Sequence, residues 1–128
     1  EEARSLGLED KLVITMGSDF GRTNKYNDGA GKDHWPIGSM MFIAKSRISG
    51  NRIVGATDEQ FKALKIDPAT LAVDKNNSNP NAVRITPAHI HRSLRRLAGV
   101  EVELGEAATK FPLKGSDIEL FNPPITPI

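Results

Sequence analysis

The fold is decided by residues 12–23, which read Leu12-Val13-Ile14-Thr15-Met16-Gly17-Ser18-Asp19-Phe20-Gly21-Arg22-Thr23. The first five residues form an apolar, β-branched run, which predicts a strand buried on both faces over Leu12–Met16, and Gly17 ends this run. In α/β sheets, ligands bind just beyond the carboxyl ends of such strands. The polar loop that follows is therefore predicted to carry the chemistry of the protein.

Four side chains in and after this loop are candidates for a functional site: Asp19, Arg22, Asp33 and His34. Carboxylate and imidazole groups ligate divalent metals, and Arg binds phosphate or sulfate in a bidentate manner. An ordinary Asp-Gly turn is the alternative interpretation of Asp19, because both residue types favour turns. The Asp33-His34 pair favours ligation, since it would bring an imidazole to the same edge of the sheet.

Composition restricts the class of protein. The chain has 128 residues, of which 38% are hydrophobic and 26% charged, which is typical of a soluble globular domain. Seventeen basic and sixteen acidic residues give a net charge of +1, which predicts neither a nucleic-acid partner nor an anionic membrane partner. The lack of cysteine excludes disulfides and thiolate metal sites. No apolar run approaches the roughly 20 residues of a membrane span.

The order of elements predicts part of a larger protein. A helix at the start leads into the strand over Leu12–Met16, and a crossover of this kind needs an earlier parallel strand. Ser39–Ala44 is predicted to be a second buried strand, parallel to the first. We therefore expect one partial domain over residues 1–128, the carboxyl-terminal part of an α/β domain whose missing amino-terminal part is its partner. Apolar surface left open there would favour a homo-oligomer.

A helix is predicted from Thr86 to Ala98, with Thr86 as N-cap, Pro87 at the first helical position and Gly99 after the last turn. An apolar stripe of Ile90, Leu94 and Leu97 is expected to pack on the sheet, and a solvated face opposite it contains Arg92, Arg95 and Arg96. His89 is expected to face solvent and His91 to border the stripe. Residues 101–128 are predicted to form an extended tail. A nucleic-acid module built on the three arginines is a weaker alternative, because it should bring a larger basic excess.

Four motifs occur in the order found in a known family: Ser18–Thr23, Gly31–Pro36, Gly55–Glu59 and Thr86–Gly99. With them the chain resembles the carboxyl-terminal third of the domain-of-unknown-function-1501 family, bacterial proteins that often carry a twin-arginine export signal. That family is similar to the alkaline phosphatase and sulfatase superfamily. The resemblance implies a periplasmic or secreted protein.

The resemblance also implies a fold and a site. The fold would be α/β, the carboxyl-terminal fragment of an alkaline-phosphatase-like three-layer sandwich with a mostly parallel sheet. Asp19 and His34 would be ligands of a divalent metal (Zn, Mn, Ca or Mg). From their own chemistry, Asp33 is predicted to orient the imidazole and Arg22 to be the catalytic residue that holds the anion. The superfamily often has His after the strand-end Asp, where this chain has Phe20. The nucleophile and the other ligands would lie in the missing part, so metal binding by this chain alone is expected to be absent or weak.

Two functions are compatible with this pattern. The first is part of an exported metal-dependent hydrolase that acts on phosphate or sulfate esters. The second is an exported, non-enzymatic binding or surface-assembly protein that keeps the fold, which Phe20 favours. Neither function requires nucleic acid or a membrane span.

Overall fold

The computed structural model describes residues 1–45, 47–100 and 110–121, which form two compact units. The first unit consists of Glu1–Gly50 and Thr57–Lys62, and the second of Asn51–Ala56 and Ala63–Ile128. The prediction of one partial domain concerns how such units combine, and it stays a prediction.

The first unit contains one short helix and two small sheets. The elements are α1 (Glu2–Ser5), β1 (Val13–Gly17), β2 (Gly21–Arg22), β3 (His34–Trp35) and β4 (Met40–Ala44). One sheet pairs β1 with β4, and the other pairs β2 with β3. The two longer strands lie within one residue of their predicted bounds, and β2 and β3 were not predicted.

The direction of the strand pairing differs from the prediction. β1 and β4 are neighbours, as expected, but they are antiparallel, with Val13 opposite Ala44 and Gly17 opposite Met40. A parallel pair needs a crossover, usually a helix. The connection here is rich in Asn, Asp and Gly and contains the β2–β3 ribbon instead of a crossover helix. β4 therefore begins next to the end of β1, and the two strands run antiparallel. The predicted three-layer sandwich stays a prediction.

Burial of β1 on both faces was also wrong. The register places Ile14 opposite Ile43 and Met16 opposite Met41 on one face, and these four side chains are 48–55% exposed. Every buried side chain in the described ranges belongs to the second unit. The exposed apolar surface that was predicted is therefore present, and oligomerisation through it stays a prediction.

The second unit contains α2 (Pro87–Leu97), whose ends were predicted correctly. Thr86 is the N-cap in extended conformation, Pro87 occupies the first turn, and Gly99 has a φ of +76° directly after the C-cap. This left-handed conformation is one that glycine adopts without strain. The Thr-Pro and Ala-Gly signals therefore fix both ends of the helix.

The buried side of α2 differs from the predicted stripe. His89, Ser93 and Leu97 are the buried residues of the helix, while Ile90 and Leu94 are only half-buried. His89 is 1% exposed and not solvent-facing, and His91 is exposed. The reason is the segment over residues 116–121, whose backbone supplies hydrogen-bond partners for polar side chains on this side of the helix. Contact of α2 with the sheet concerns both units and stays a prediction.

Hydrogen bonds join the buried side of α2 to this segment, and another closes the N-terminal cap of the helix. His89 Nε2 donates to the Ser116 carbonyl oxygen at 3.2 Å, and its Nδ1 accepts the Thr86 backbone N–H at 3.1 Å. Ser93 Oγ donates to the carbonyl of Ile118 at 3.4 Å. The segment in turn buries the side chains of Ile118, Leu120 and Phe121. Polar groups in this core are thus satisfied, as buried polar groups must be.

The arginine face of α2 is not simply solvated. Arg92 and Arg96 both bind Asp117, and Arg96 also lies 3.5 Å from Glu119 Oε2. The Arg95 guanidinium lies over the ring of Phe111, 5.4 Å from its centroid. These arginines therefore fasten the segment over residues 110–121 to the helix, which explains them without a nucleic-acid partner.

Aspartate-led turns organise the long loop over residues 65–84. The Asp67 carboxylate accepts the backbone N–H groups of Thr70 and Ala69, and the Asp74 carboxylate accepts those of Asn79 and Ser78. These hydrogen bonds from backbone donors hold the pKa of each carboxyl below its ordinary value of 3.8. Each turn is therefore stabilised more by an ionised than by a protonated aspartate.

Acid is expected to weaken these turns. Since the pKa of each carboxyl is lowered in the folded state, the stability that Asp67 and Asp74 contribute is present above about pH 4 and is lost as the pH falls through the folded pKa. Asparagine keeps an acceptor oxygen but does not titrate, so D67N/D74N should show a shallower fall in the free energy of unfolding between about pH 4 and 2. Urea unfolding at each pH measures it. Parallel curves for wild type and variant would refute the role of the two carboxylates.

The predicted extended tail lies partly outside the described residues, at 101–109 and 122–128. Over 110–121 the chain forms bends and irregular backbone, with one helical residue at Lys110. Within the described ranges, neither helix has the length and apolar character that a membrane span requires.

Candidate functional site

The predicted site residues lie in the connection between β1 and β4, and the β2–β3 ribbon brings two of them together. Arg22 and His34 are directly opposite each other in the antiparallel register. Residues paired in this way have Cβ atoms about 4.5–5.5 Å apart and side chains on the same face. A guanidinium and an imidazole therefore share one exposed face of the ribbon.

Gly21 allows the ribbon to form. A Cβ atom at this position would lie 2.0 Å from the carbonyl oxygen of Ile37, far inside contact distance. The backbone after β3 therefore approaches β2 more closely than any other residue type would permit. This close approach fixes the backbone just before Arg22 and the backbone that follows His34.

Phe20 occupies the centre of the site. Its ring stacks on the His34 imidazole, with centroids 3.6 Å apart and an interplanar angle of 20°. The Arg22 guanidinium carbon lies 5.0 Å from the centroid of the same ring, which is within the range of a cation–π contact. Phe20 therefore contacts both polar side chains of the ribbon.

Hydrogen bonds tie the ends of the β2–β3 connection together. Thr23 N donates to the Asp33 carbonyl at 3.0 Å, and Asp33 N donates to Thr23 Oγ1 at 3.1 Å. Arg22 Nη1 donates to the Lys32 carbonyl at 3.0 Å, its one hydrogen bond to the described residues. Nε and Nη2 are thus left for a ligand, since a guanidinium carries five N–H donors.

Asn27 organises the loop between the two strands, residues 23–33. Its Oδ1 accepts the backbone N–H groups of Gly29 and Gly31, and its Nδ2 donates to Asp33 Oδ1 at 2.7 Å. Its backbone N–H and carbonyl bond to Gly31 and Ala30. Asn27 is not among the predicted site residues, although Asn-Asp-Gly is a typical turn signal.

The two predicted acidic residues have different surroundings. Asp19 lies exposed in a bend after β1. The Asp33 carboxylate accepts its hydrogen bond from Asn27. Asp33 thus helps to hold the loop over residues 23–33 in place. Its predicted role in orienting His34 stays a prediction.

The described residues do not complete a metal site by themselves, and the predicted divalent metal stays a prediction. A zinc site takes three or four protein ligands, and only Asp19 and His34 were predicted here. The described residues contain no group of three or more His, Cys, Asp or Glu that could hold a metal ion. The ribbon by itself therefore supports contact with an anion rather than a complete metal centre.

The second unit has an open cavity of about 380 Å³, lined in part by Arg52, Arg96, Asp117 and Glu119. Its cations already have partners in the chain, because Arg96 binds both carboxylates and Arg52 donates to the Leu120 carbonyl. We therefore assign the candidate site to the β2–β3 ribbon.

Comparison with known proteins identifies a family. Searches of curated proteins and of solved structures found no match. Residues 3–77, more than half of the chain, match the family described as "Protein of unknown function (DUF1501)". This range contains all four predicted site residues, while the motif predicted over Thr86–Gly99 lies beyond it. The chain belongs to the DUF1501 family, as its motifs predicted.

Proposed function

We propose that the β2–β3 ribbon is the anion-binding part of an exported hydrolase that acts on phosphate or sulfate esters. The observation that carries the proposal is the pairing of Arg22 with His34 on one exposed face. The family match establishes the family and leaves its activity to be proposed. The likeness to phosphatases and sulfatases belongs to the same proposal.

The two side chains have complementary chemistry. The planar guanidinium of Arg22 offers two parallel N–H donors to the oxygens of a tetrahedral anion. An imidazole beside it can donate a hydrogen bond, or a proton, to an ester oxygen. Phe20 supports both groups from one side, so little conformational freedom is lost when an anion binds.

Metal dependence needs ligands beyond the described residues. Asp19 and His34 remain the proposed contributors from this chain, and a divalent ion there would polarise an ester oxygen. With two donors, the chain alone is expected to bind such an ion weakly or not at all.

Replacing Arg22 by Gln is expected to weaken the binding of inorganic phosphate about tenfold, which corresponds to the loss of one charge-assisted contact. Titration calorimetry at low salt measures the affinity. Arg84→Gln is the matched control, because Arg84 is also exposed and also donates to a backbone carbonyl, that of Ala63 at 2.9 Å. His34→Ala should weaken binding as well, with His91→Ala as its control on the exposed side of α2.

Equal phosphate affinity in wild type and Arg22→Gln would overturn the proposed anion site. Hydrolysis is tested separately, in the full-length protein that would also carry the nucleophile, on a panel of phosphate and sulfate esters with Zn²⁺, Mn²⁺, Mg²⁺ or Ca²⁺ supplied. Turnover that falls in His34→Ala but not in His91→Ala supports the hydrolase. Phosphate binding without any turnover would favour the alternative below.

The alternative is an exported, non-enzymatic binding or surface-assembly protein. Phe20 favours it, because it stands where the phosphatase and sulfatase superfamily often has a histidine. The exposed sheet face formed by Ile14, Met16, Met41 and Ile43 favours it too, since an apolar face of this kind suits assembly.

A further inference from the structure

We propose that the loop over residues 23–33 recognises a sugar ring that carries the anionic group, with Tyr26 as the stacking platform. This inference rests on the proposed function, because Arg22 holds the anion in both. It names the substrate class: phosphate or sulfate monoesters of sugars.

Tyr26 is the most exposed aromatic side chain of the first unit, at 73%. It belongs to a loop whose backbone is fixed by the hydrogen bonds of Asn27 on its carboxyl side. Ala30, in the same loop, has a φ of +57°, in the left-handed region that only a well-determined turn imposes on alanine. An exposed aromatic ring on a rigid loop binds with little loss of entropy, which is a common feature of recognition surfaces.

Lys32 links this ring to the anion site. Its carbonyl oxygen accepts the hydrogen bond from Arg22 Nη1, and its ammonium lies 5.3 Å from the centroid of the Tyr26 ring. One residue therefore fixes the arginine and restrains the tyrosine. Arg22 and the Tyr26 ring therefore lie on either side of the same lysine residue.

The surroundings of the ring favour a sugar over a flat apolar group. Asn24, Lys25 and Asp28 are exposed beside Tyr26 and offer amide, ammonium and carboxylate groups to hydroxyls. A sugar presents C–H groups to an aromatic face and hydroxyls around its rim, so it matches a ring bordered by polar side chains. An aromatic ester would offer these polar groups no hydroxyl to bind.

Affinities for three probes of similar charge test the inference: glucose 6-phosphate, glycerol 1-phosphate and inorganic phosphate. Wild-type chain should bind glucose 6-phosphate about tenfold more tightly than the other two. Tyr26→Ala should remove this preference while leaving the affinity for inorganic phosphate unchanged. Tyr26→Phe, which keeps the ring, should retain most of it.

The results separate the inference from the proposed function. A preference for glucose 6-phosphate that survives in Tyr26→Ala, or no preference in wild type, overturns the sugar platform. If p-nitrophenyl phosphate gains affinity through Tyr26 and glucose 6-phosphate does not, the assignment to sugars is wrong. Phosphate affinity that is unaffected by Arg22→Gln overturns the proposed function instead, and absence of binding by all probes overturns both.

Discussion

Replacing Ile66 by alanine is expected to lower the free energy of unfolding of the second unit by about 3–4 kcal/mol. The side chain is 0% exposed, and its backbone exchanges two hydrogen bonds with Val83, at 2.8 and 3.0 Å. It also forms a bridge with Val73, so it joins three parts of the long loop. Truncation to alanine leaves a cavity where these three parts of the loop meet. The aspartate-led turns around it are held by hydrogen bonds, so they cannot readily move to fill the cavity.

Ile53→Ala is the matched control, because Ile53 is in the same unit and 95% exposed. Its replacement should change the free energy of unfolding by less than about 0.5 kcal/mol. Far-UV circular dichroism in urea is the suitable probe, since α2 lies in the second unit while the single tryptophan, Trp35, lies in the first. Equal losses in the two variants would show that Ile66 is not a core residue.

Replacing His89 by alanine is expected to cost about 3 kcal/mol of stability. The variant loses the side-chain half of the capping box, leaves the Ser116 carbonyl without its donor and opens a space in the core. Loss of a cap costs about 1 kcal/mol, and a buried unsatisfied polar group about 1–3 kcal/mol. The same urea titration measures the effect.

His91→Ala provides the control, because this histidine is on the same helix and exposed. His89→Gln should recover part of the loss, since glutamine is a preferred residue at this position of a capping box. A variant His89→Ala as stable as His91→Ala would contradict the structural role assigned to the buried ring.

Local signals in the sequence were sufficient for several elements. β1 and β4 follow from apolar, β-branched runs, and both ends of α2 follow from Thr86-Pro87 and Gly99. These signals could not predict whether β1 and β4 pair parallel or antiparallel, because the direction depends on how the connecting chain folds. The connection here forms a ribbon of two-residue strands, too short for any periodic pattern to reveal.

The buried side of α2 could not be predicted from helical periodicity. Hydrophobicity ranks Ile90 and Leu94 above His89 and Ser93, yet the polar pair is the more deeply buried. The deciding partners, the carbonyls of Ser116 and Ile118, lie more than twenty residues away along the chain. Polar side chains are buried where such acceptors are available, and that information is not local.

The predicted site residues lie in one connection of the chain, between β1 and β4, and their role as a site stays a prediction. The juxtaposition of Arg22 with His34 depends on the ribbon register, and the stack of Phe20 on His34 depends on the close backbone approach at Gly21. Neither feature can be recognised from the spacing of residues in the sequence.

The exposed β1–β4 sheet also contains side chains whose oxidation measures how accessible the sheet is. The chain has three methionines, Met16, Met40 and Met41, and all of them lie in these two strands and are 45–55% exposed. Thioethers at accessible positions are oxidised by peroxide to sulfoxides, and coverage by another surface slows this reaction. Each oxygen atom gained by the chain in a mass spectrum can therefore be traced to this sheet. The rate of methionine oxidation thus measures how much of the sheet a partner covers, without any label being introduced.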